Sequence, residues 1–317
     1  MKRISFVIPC YRSSETLPGV IKEIQDTMEK LDKYTYEIIL VNDCSPDDTF
    51  ETITALCEAN DHILGINLAK NFGQHSALMA GFKYAKGDII VCLDDDGQTP
   101  ANEVDKLLAK IEEGADVVYA KYNQKHHSGF RNWGSHVNEL MTRIMLGKPK
   151  ELFLSSYFAA RRFVVDEMLS YQGAYPYVIG LVLRSTKNIV NVEVNHRDRQ
   201  AGASGYTLKK LLGLWFNGFT AFSVKPLRIA TMTGAVCAFA GFAYGIYTII
   251  KKIFIRPPEL VVGFSALMSV LVFMGGMLML MLGLVGEYIG RMYISMNNSP
   301  QYVIREIVGE EKEKEDE

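Results

Sequence analysis

Residues 91–100 read Val91-Cys92-Leu93-Asp94-Asp95-Asp96-Gly97-Gln98-Thr99-Pro100, an apolar run that ends in three acidic residues. The run begins at Ile89, and its unbroken apolar character predicts a strand buried on both faces, as in a parallel sheet. The Gly and the Pro that follow predict that the strand does not continue past the acids. The three carboxylates are therefore expected at the carboxyl end of a strand, which is the edge where ligands bind in an open α/β sheet.

Three adjacent carboxylates predict a cation. They repel one another unless a positive charge neutralises them, and oxygen ligands suit hard divalent ions such as Mg²⁺ or Mn²⁺. Asp94 and Asp96 alternate along the chain, so in extended geometry they point to the same side while Asp95 points to the other. The pattern thus predicts a metal at Asp94 and Asp96 that holds a diphosphate. The other interpretation is a solvated acidic turn that caps a helix starting near Ala101.

The distribution of charge and hydrophobicity bounds the class of protein. The chain has 317 residues and a net charge of −2, which gives no case for binding to nucleic acid. Residues 229–250 and 261–285 contain no charged side chain, and runs of about 20 such residues can cross a membrane. We therefore predict two membrane helices, with a buried hairpin of a soluble protein as the disfavoured alternative. The five cysteines lack metal-type spacing and indicate a reduced, cytoplasmic domain.

The first 200 residues alternate between strand and helix patterns, which predicts an α/β domain with a mostly parallel sheet. Strands are predicted at 4–9, 37–41, 63–68, 89–93, 116–120 and 189–194, with a short one near 155–160. Asp43 follows the second strand and is expected at the same edge as Asp94, although it could equally be a turn residue. Asp47 or Asp48 is expected to cap the next helix. Lys70 and the N–H groups that begin the helix after it suit an anion.

A polar loop at residues 196–206 contains two arginines, two glycines and a serine, which can wrap an anion. The helix predicted after it has an apolar stripe and a polar face. The stripe consists of Leu208, Leu211, Leu212, Trp215, Phe219 and Phe222, and Lys209, Lys210 and Asn217 lie opposite. This pattern is typical of a helix in a membrane interface, with packing on the soluble domain as the alternative. The anion loop is then expected at the depth of lipid headgroups.

The sequence predicts four parts in order. They are an α/β domain at 1–205, an amphipathic juxtamembrane segment at 206–227, a two-helix transmembrane hairpin at 228–290, and an acidic tail at 291–317, disordered from Glu306. The short connection at 251–260 puts both chain ends on one side, taken as the cytoplasmic side of the inner membrane, although basic residues flank both sides. Gly286 and Gly290 form a pair typical of helix association, which also arises often by chance and leaves a homo-oligomer open.

Six short patterns occur along the chain in a fixed order. They are Val7-Ile8-Pro9-Cys10-Tyr11, Val41-Asn42-Asp43-Cys44-Ser45, Lys70-Asn71-Phe72-Gly73 to Gly81, Leu93 to Gln98, Arg131 to Ser135, and Arg199-x-x-Gly202-x-Ser204-x-Tyr206. With the two apolar runs they resemble glycosyltransferase family 2, and within it the polyprenyl-phosphate glycosyltransferases. That group includes dolichyl-phosphate mannose synthase and bacterial undecaprenyl-phosphate sugar transferases. The order of the patterns and the membrane pair, rather than any single pattern, carry the resemblance.

The resemblance implies a Rossmann-like GT-A domain that transfers one sugar, with inversion, from a nucleotide sugar such as a UDP-sugar to a polyprenyl phosphate in the membrane. It implies a donor site at Pro9, Tyr11, Asp43, Lys70, Asp94 and Asp95, with Asp43 at the base and Asp94 at the nucleotide. Asp96 would bind Mg²⁺ or Mn²⁺. The implied catalytic residues are Asp96, Gln98, Arg131 and Arg199, and the implied acceptor-phosphate residues are Arg131, Ser135, Arg199 and Ser204.

The chain also departs from many relatives. Ser13 and Ser156 stand where acids are common, which leaves base recognition and a catalytic carboxylate open. The Gln-x-x-Arg-Trp motif of processive synthases is missing from the sequence, which favours single-sugar transfer. Two further interpretations stay open: transfer to a lipid-linked diphosphate saccharide or another glycan, and a catalytically silent membrane protein that binds a nucleotide sugar.

Overall fold

The computed structural model describes residues 1–122, 148–195, 227, 230–237, 239, 243, 246, 247, 250, 254, 264–296 and 299–309. The chain divides into two compact units, one made of Met1–Tyr206 with Asn298–Glu317 and the other of Thr207–Asn297. Residues 123–147, the anion loop at 196–206 and the amphipathic helix predicted after it lie outside the described residues.

The first unit alternates strands and helices. Its strands are β1 (Lys2–Cys10), β2 (Tyr34–Asn42), β3 (Ile63–Leu68), β4 (Ile89–Cys92), β5 (Val117–Tyr122), β6 (Phe158–Arg161), β7 (Ile189–Val194) and β8 (Ile304–Val308). Its helices are α1 (Leu17–Met28), α2 (Thr49–Ala59), α3 (Gln74–Tyr84), α4 (Val104–Glu112), α5 (Arg162–Leu169) and α6 (Val178–Ser185). A short 3₁₀ turn at Ala101–Glu103 leads into α4.

Among the described residues, the strands form one eight-stranded sheet in the order β7-β5-β6-β4-β1-β2-β3-β8. β1 runs parallel to β2 and β4, β2 to β3, and β5 to β7, whereas β6 is antiparallel to β4 and β5. The mostly parallel α/β sheet predicted from the sequence is confirmed. Because β1, β2 and β4 are parallel neighbours, the residues that follow them meet at one edge of the sheet.

Helix α3 lies unusually close to the sheet. A Cβ added at Gly81 would be 2.4 Å from Cγ1 of Val7 on β1 and 3.1 Å from Cγ2 of Val41 on β2. Ala77, one turn earlier, is completely buried. The small residues therefore permit close packing of α3 on the sheet, and they bring the first residue of α3, Gln74, to the carboxyl edge of the sheet.

The C-terminal tail corrects one prediction. Residues 306–308, expected to be disordered, belong to β8, which pairs antiparallel with β3. The partly buried Val308 packs against the core, and Asn67 of β3 lies opposite Glu306. β8 provides hydrogen-bond partners for backbone groups on the edge of β3 that would otherwise stay open. The local composition of the tail gives no sign of this pairing.

The second unit contains helix α7 (Phe264–Met296), 33 residues long. Within it, Phe273–Gly290 has a mean hydropathy of 1.5 and is not buried inside the protein. Among the described residues, this is the one helix whose length and composition would let it cross a membrane. It covers most of the second predicted span; the first predicted span, residues 229–250, lies largely outside the described residues, although 230–237 are helical.

Candidate active site

A cavity of about 370 Å³ lies at the carboxyl ends of β1, β2 and β4. Its walls come from the loops after these strands and from the start of α3. The lining residues are Pro9, Cys10, Tyr11, Asp43, Asn71, Gly73, Gln74, Asp94, Asp95 and Asp96. The sheet edge predicted to bind a ligand therefore does form a cavity, and the acidic triplet is part of its wall.

The three carboxylates of the triplet are held by different partners. β4 ends at Cys92, and the chain turns through residues 95–97, with φ of 72° at Gly97. An Asp95 oxygen accepts the backbone N–H of Tyr11 at 3.0 Å, and Oδ1 of Asp96 accepts the N–H of Gln98 at 3.1 Å. All three acids line the cavity, and the orientation predicted for Asp95 in extended geometry stays a prediction. The two-residue alternation holds only while the chain is extended.

Asp94 is bound by two side chains. Its Oδ1 accepts a hydrogen bond of 3.1 Å from Nε2 of Gln74, and its Oδ2 accepts one from the hydroxyl of Ser156. Burial is the largest cause that raises the pKa of Asp94, to about 6, and the charges of Asp95 and Asp96 add to it. The hydrogen bonds lower the pKa but do not offset burial. A cation at this point would favour the ionised form of the carboxylate.

The triplet fits a metal that is shared with a ligand. No group of three or more His, Cys, Asp and Glu side chains that could hold a metal ion occurs in the part of the chain that the structure describes. Asp94 and Asp96 thus offer two carboxylates instead of a complete cage. Mg²⁺ is commonly held by one or two carboxylates together with substrate phosphates and water, so the donor set suits a cation that a diphosphate helps to coordinate.

Asp43, immediately after β2, fixes the loop that begins α3. Its two carboxylate oxygens accept the backbone N–H groups of Phe72 at 2.7 Å and Gly73 at 2.8 Å. Burial raises the pKa of Asp43, and these two hydrogen bonds lower it. Nδ2 of Asn71 also donates to the Asp43 carbonyl, at 3.2 Å. The side chain therefore shapes the cavity wall, and its predicted contact with a nucleotide base stays a prediction.

The turn after β2 is linked to the loop after β1. The hydroxyl of Ser45 accepts the N–H of Arg12 at 2.8 Å and donates to Asp47. Burial alone would raise the pKa of Asp47, but hydrogen bonds from Ser45, Thr49 and Ser14 lower it to about 2. The backbone N-cap of α2 is Asp48, whose side chain makes no capping bond. Asp47 therefore ties two loops together rather than capping the helix.

The remaining predicted site residues fall into four groups. Pro9 and Tyr11 line the cavity. Lys70 does not, and its Nζ lies 4.9 Å from the centroid of the Phe72 ring. Gln98 reaches the triplet through its backbone N–H. Those that lie outside the described residues are Arg131, Ser135, Arg199 and Ser204.

Gln74 and Ser156, which both donate hydrogen bonds to Asp94, were not predicted as site residues from the sequence. Gln74 begins a helix at the ligand edge, which is a signal that could have been used. Ser156 is 62 residues from Asp94 along the chain, and β6 brings it there by pairing with β4. That pairing has no local sequence signal.

Comparison with known proteins assigns the family. Residues 5–169 match the family described as Glycosyl transferase family 2, and residues 225–292 match the GtrB C-terminal hairpin. The undecaprenyl-phosphate 4-deoxy-4-formamido-L-arabinose transferase of Yersinia enterocolitica is 34% identical over 313 residues, which are 98% of this chain and 95% of that protein. The chain belongs to glycosyltransferase family 2. It is a glycosyltransferase, and its mostly parallel α/β sheet is the GT-A-like fold that the resemblance implied.

Solved structures similar to this glycosyltransferase include two sugar-phosphoglycerate synthases. Glucosyl-3-phosphoglycerate synthase of Mycobacterium tuberculosis, in complex with Mn²⁺ and uridine-diphosphate-glucose, is 21% identical with a TM-score of 0.49, over 66% of this chain and 74% of that chain. Mannosyl-3-phosphoglycerate synthase of Rubrobacter xylanophilus is 16% identical with a TM-score of 0.48, over 67% of this chain and 70% of that chain.

Proposed function

We propose that this glycosyltransferase transfers one sugar, with inversion, from a UDP-sugar to a polyprenyl phosphate such as undecaprenyl phosphate. The observation that carries the proposal is a cavity bounded by Asp94 and Asp96 in a chain that matches an undecaprenyl-phosphate sugar transferase over 98% of its length. The match of residues 225–292 to the GtrB hairpin and the apolar helix α7 support an enzyme held in the membrane.

The donor diphosphate binds beside the acidic triplet. Asp94 and Asp96 would hold Mg²⁺ or Mn²⁺, which supplies positive charge to the leaving diphosphate. Gly73 and Gln74, at the start of α3, line the same cavity, and the first turn of a helix favours phosphate oxygens. Lys70 adds positive charge to this side of the donor site. Pro9, Tyr11 and Asp95 line the same cavity.

The acceptor needs little help from a base. A phosphate monoester has a second pKa of about 6, so much of it is already a dianion at neutral pH. One acceptor oxygen attacks the anomeric carbon, and the bond from that carbon to the diphosphate oxygen breaks. The nucleoside diphosphate leaves with the electron pair of that bond. The enzyme mainly positions the two anions in line, and Gln98 belongs to this reacting centre.

The acceptor phosphate binds to Arg131, Ser135, Arg199 and Ser204, because guanidinium groups neutralise a phosphate and bind it in a fixed geometry. In the proposed topology both apolar runs cross the inner membrane, and the first unit lies on the cytoplasmic side. The amphipathic segment at 206–227 then keeps the acceptor loop at the membrane surface. The identity of the sugar is to be determined with a panel of UDP-sugar donors.

A transfer assay with the full chain tests the proposal. Purified protein in detergent would be incubated with a panel of labelled UDP-sugars, Mn²⁺ or Mg²⁺, and either undecaprenyl phosphate, a lipid-linked diphosphate saccharide, or no lipid. We expect a lipid-linked product from one donor, with the monophosphate required. Asp96→Asn is the matched negative control.

Two results would contradict the proposal. Product formed as readily on the diphosphate saccharide would make that lipid the acceptor class. A complete panel without lipid-linked product, from protein that still binds UDP, would favour a silent binding protein.

A further inference from the structure

Three polar side chains lie in a row across three neighbouring strands, at the end of the sheet nearest the cavity. Asn42 is the last residue of β2, and in the strand register it faces Asn67 of β3, which in turn faces Glu306 of β8. The two asparagines are only 2% and 7% exposed. Polar groups that deep need hydrogen-bond partners, and here each provides one for the next.

The hydrogen bonds of the row all run in one direction. Nδ2 of Asn67 donates to Oε1 of Glu306 at 3.1 Å, and Nδ2 of Asn42 donates to Oδ1 of Asn67 at 2.9 Å. Oδ1 of Asn42 then accepts the backbone N–H of Ser45 at 3.1 Å. A carboxylate can only accept and a backbone N–H can only donate, so both ends of the row impose the same orientation on the two amides.

The row ends on the turn that shapes the cavity. Ser45 closes a turn in which Cys44 has a φ of 51°, a left-handed conformation that a non-glycine residue adopts only when its surroundings hold it there. The same turn contains Asp43, which lines the cavity and binds the loop before α3. A hydrogen bond to Ser45 therefore acts on the wall of the donor site.

β8 packs closely against β3. A Cβ at Gly65 of β3 would be 2.6 Å from Cγ2 of Val308, so only glycine admits that side chain. Gly309 has a φ of 81°, and a Cβ there would be 2.4 Å from the carbonyl oxygen of Ile63. These contacts fix the register that places Glu306 opposite Asn67.

We propose that Asn42, Asn67 and Glu306 are positioning residues of the donor site, and that the C-terminal strand reaches the cavity wall through them. The inference rests on the proposed function in one respect, that the cavity takes the nucleotide part of the donor. Composition alone indicates that the C-terminal segment is a solvated acidic tail. In this proposal its strand β8 instead helps to position the donor site.

A charge-rescue experiment tests the row. Asn67→Asp keeps the shape of the side chain but turns the Nδ2 donor into an oxygen that faces the Glu306 carboxylate. Adding Glu306→Gln restores a donor, since Nε2 of Gln can bind that oxygen in the reverse direction. Glu306→Lys, at an exposed position, is a second variant, which sets an ammonium donor against the Nδ2 donor of Asn67. Glu193→Gln on β7, the opposite edge strand, is the matched control.

Two readouts separate the row from simple strand packing. Amide hydrogen exchange of the full chain in detergent is measured over residues 42–49 and 70–74, and UDP binding is measured with Mn²⁺ present. Asn67→Asp and Glu306→Lys should each speed exchange in both segments and weaken UDP binding about tenfold, the size expected when a buried polar group loses its partner. Asn67→Asp with Glu306→Gln should return both to within about twofold of the wild type, because the coupling is pairwise.

The exchange readout does not depend on the donor. If UDP does not bind even to the wild type, the proposed function fails while the row can still be judged from exchange. Faster exchange confined to β3 and β8 in the single variants would overturn the inference. So would a double variant that is no better than Asn67→Asp alone.

Discussion

Asp43 follows β2 and Asp94 follows β4. Both residues line the same cavity, yet their carboxylates are held in different ways. Asp43 accepts two backbone N–H groups at the start of α3. Asp94 accepts the side chains of Gln74 and Ser156. Backbone donors cannot turn away without unfolding the loop, whereas side-chain donors can rotate. We infer that Asp43 shapes the cavity and that Asp94 can turn towards a cation while it keeps hydrogen bonds from donors that move with it.

Substitution of Asp94 should cause the largest loss of activity, and it should do so without loss of stability. Asp94→Asn removes a charge from the proposed cation site, and the rate of sugar transfer should fall at least about 100-fold, as for the loss of a main electrostatic contact. The thermal unfolding midpoint should not fall, since a repulsive charge next to Asp95 and Asp96 has been removed. Initial rates and thermal unfolding check this prediction. Transfer at the wild-type rate would show that the charge of Asp94 is not used.

Substitution of Asp43 should show the opposite balance. Asp43→Ala leaves the N–H groups of Phe72 and Gly73 without their partner, which should lower the free energy of unfolding by about 1–3 kcal/mol. Transfer should fall less than in Asp94→Asn. The matched control is Asp48→Ala, because Asp48 is exposed and makes no capping bond, and its stability should stay within about 0.5 kcal/mol. Denaturant unfolding of the three proteins gives the comparison, and equal stability of Asp43→Ala and Asp48→Ala would refute the shaping role.

Much of the fold could be predicted because its strands carry local signals. Segments rich in Ile, Leu and Val at 63–68 and 189–194 were predicted with the bounds that the structure shows for β3 and β7. β8 could not be predicted, since Arg305 and Glu306 interrupt its apolar pattern and its partner Asn67 is 239 residues away from Glu306. Pairing between residues so far apart depends on an open edge at β3, and the amino-acid composition of the tail carries no signal of that edge.

The candidate site was predictable in outline and less so in detail. Acidic residues at the end of an apolar run identified Asp94 and Asp96, because ligands bind at the carboxyl edge of such sheets. The orientation of Asp95 could not be fixed by alternation along a strand, because the chain turns through residues 95–97. Ser156 could not be assigned, because its contact with Asp94 is made by an antiparallel strand pairing.

The next largest effect on transfer is expected from loss of the Ser156 hydroxyl, and it should act through cation binding. Ser156→Ala removes one hydrogen bond to the Asp94 carboxylate, and loss of a bond to a charged group should lower transfer about tenfold. The cation concentration that gives half-maximal rate should rise, while the half-maximal concentration of the lipid acceptor should not change. Titration of Mn²⁺ at fixed substrates measures this. An effect confined to the acceptor would assign Ser156 to another part of the reaction.

The smallest effect is expected at Gln74. Its side chain is exposed, so water can take the place of the Nε2 donor in Gln74→Ala, and transfer should fall about twofold. Gln74→Glu should cost more than Gln74→Ala, because it sets a fourth carboxylate against Asp94. Rates of the two variants, measured side by side, give the order. The reverse order would mean that the amide of Gln74 does not contact Asp94 in the working enzyme.

The central claim is that Asp94 and Asp96 bind a donor diphosphate through a shared cation. It is tested most directly by equilibrium binding of UDP to the full chain, with and without Mn²⁺, in the wild type and in Asp96→Asn. We predict that Mn²⁺ tightens UDP binding at least about tenfold in the wild type and has little effect in the variant. UDP affinity that is the same with and without Mn²⁺ in the wild type, or that responds to Mn²⁺ equally in Asp96→Asn, would contradict it.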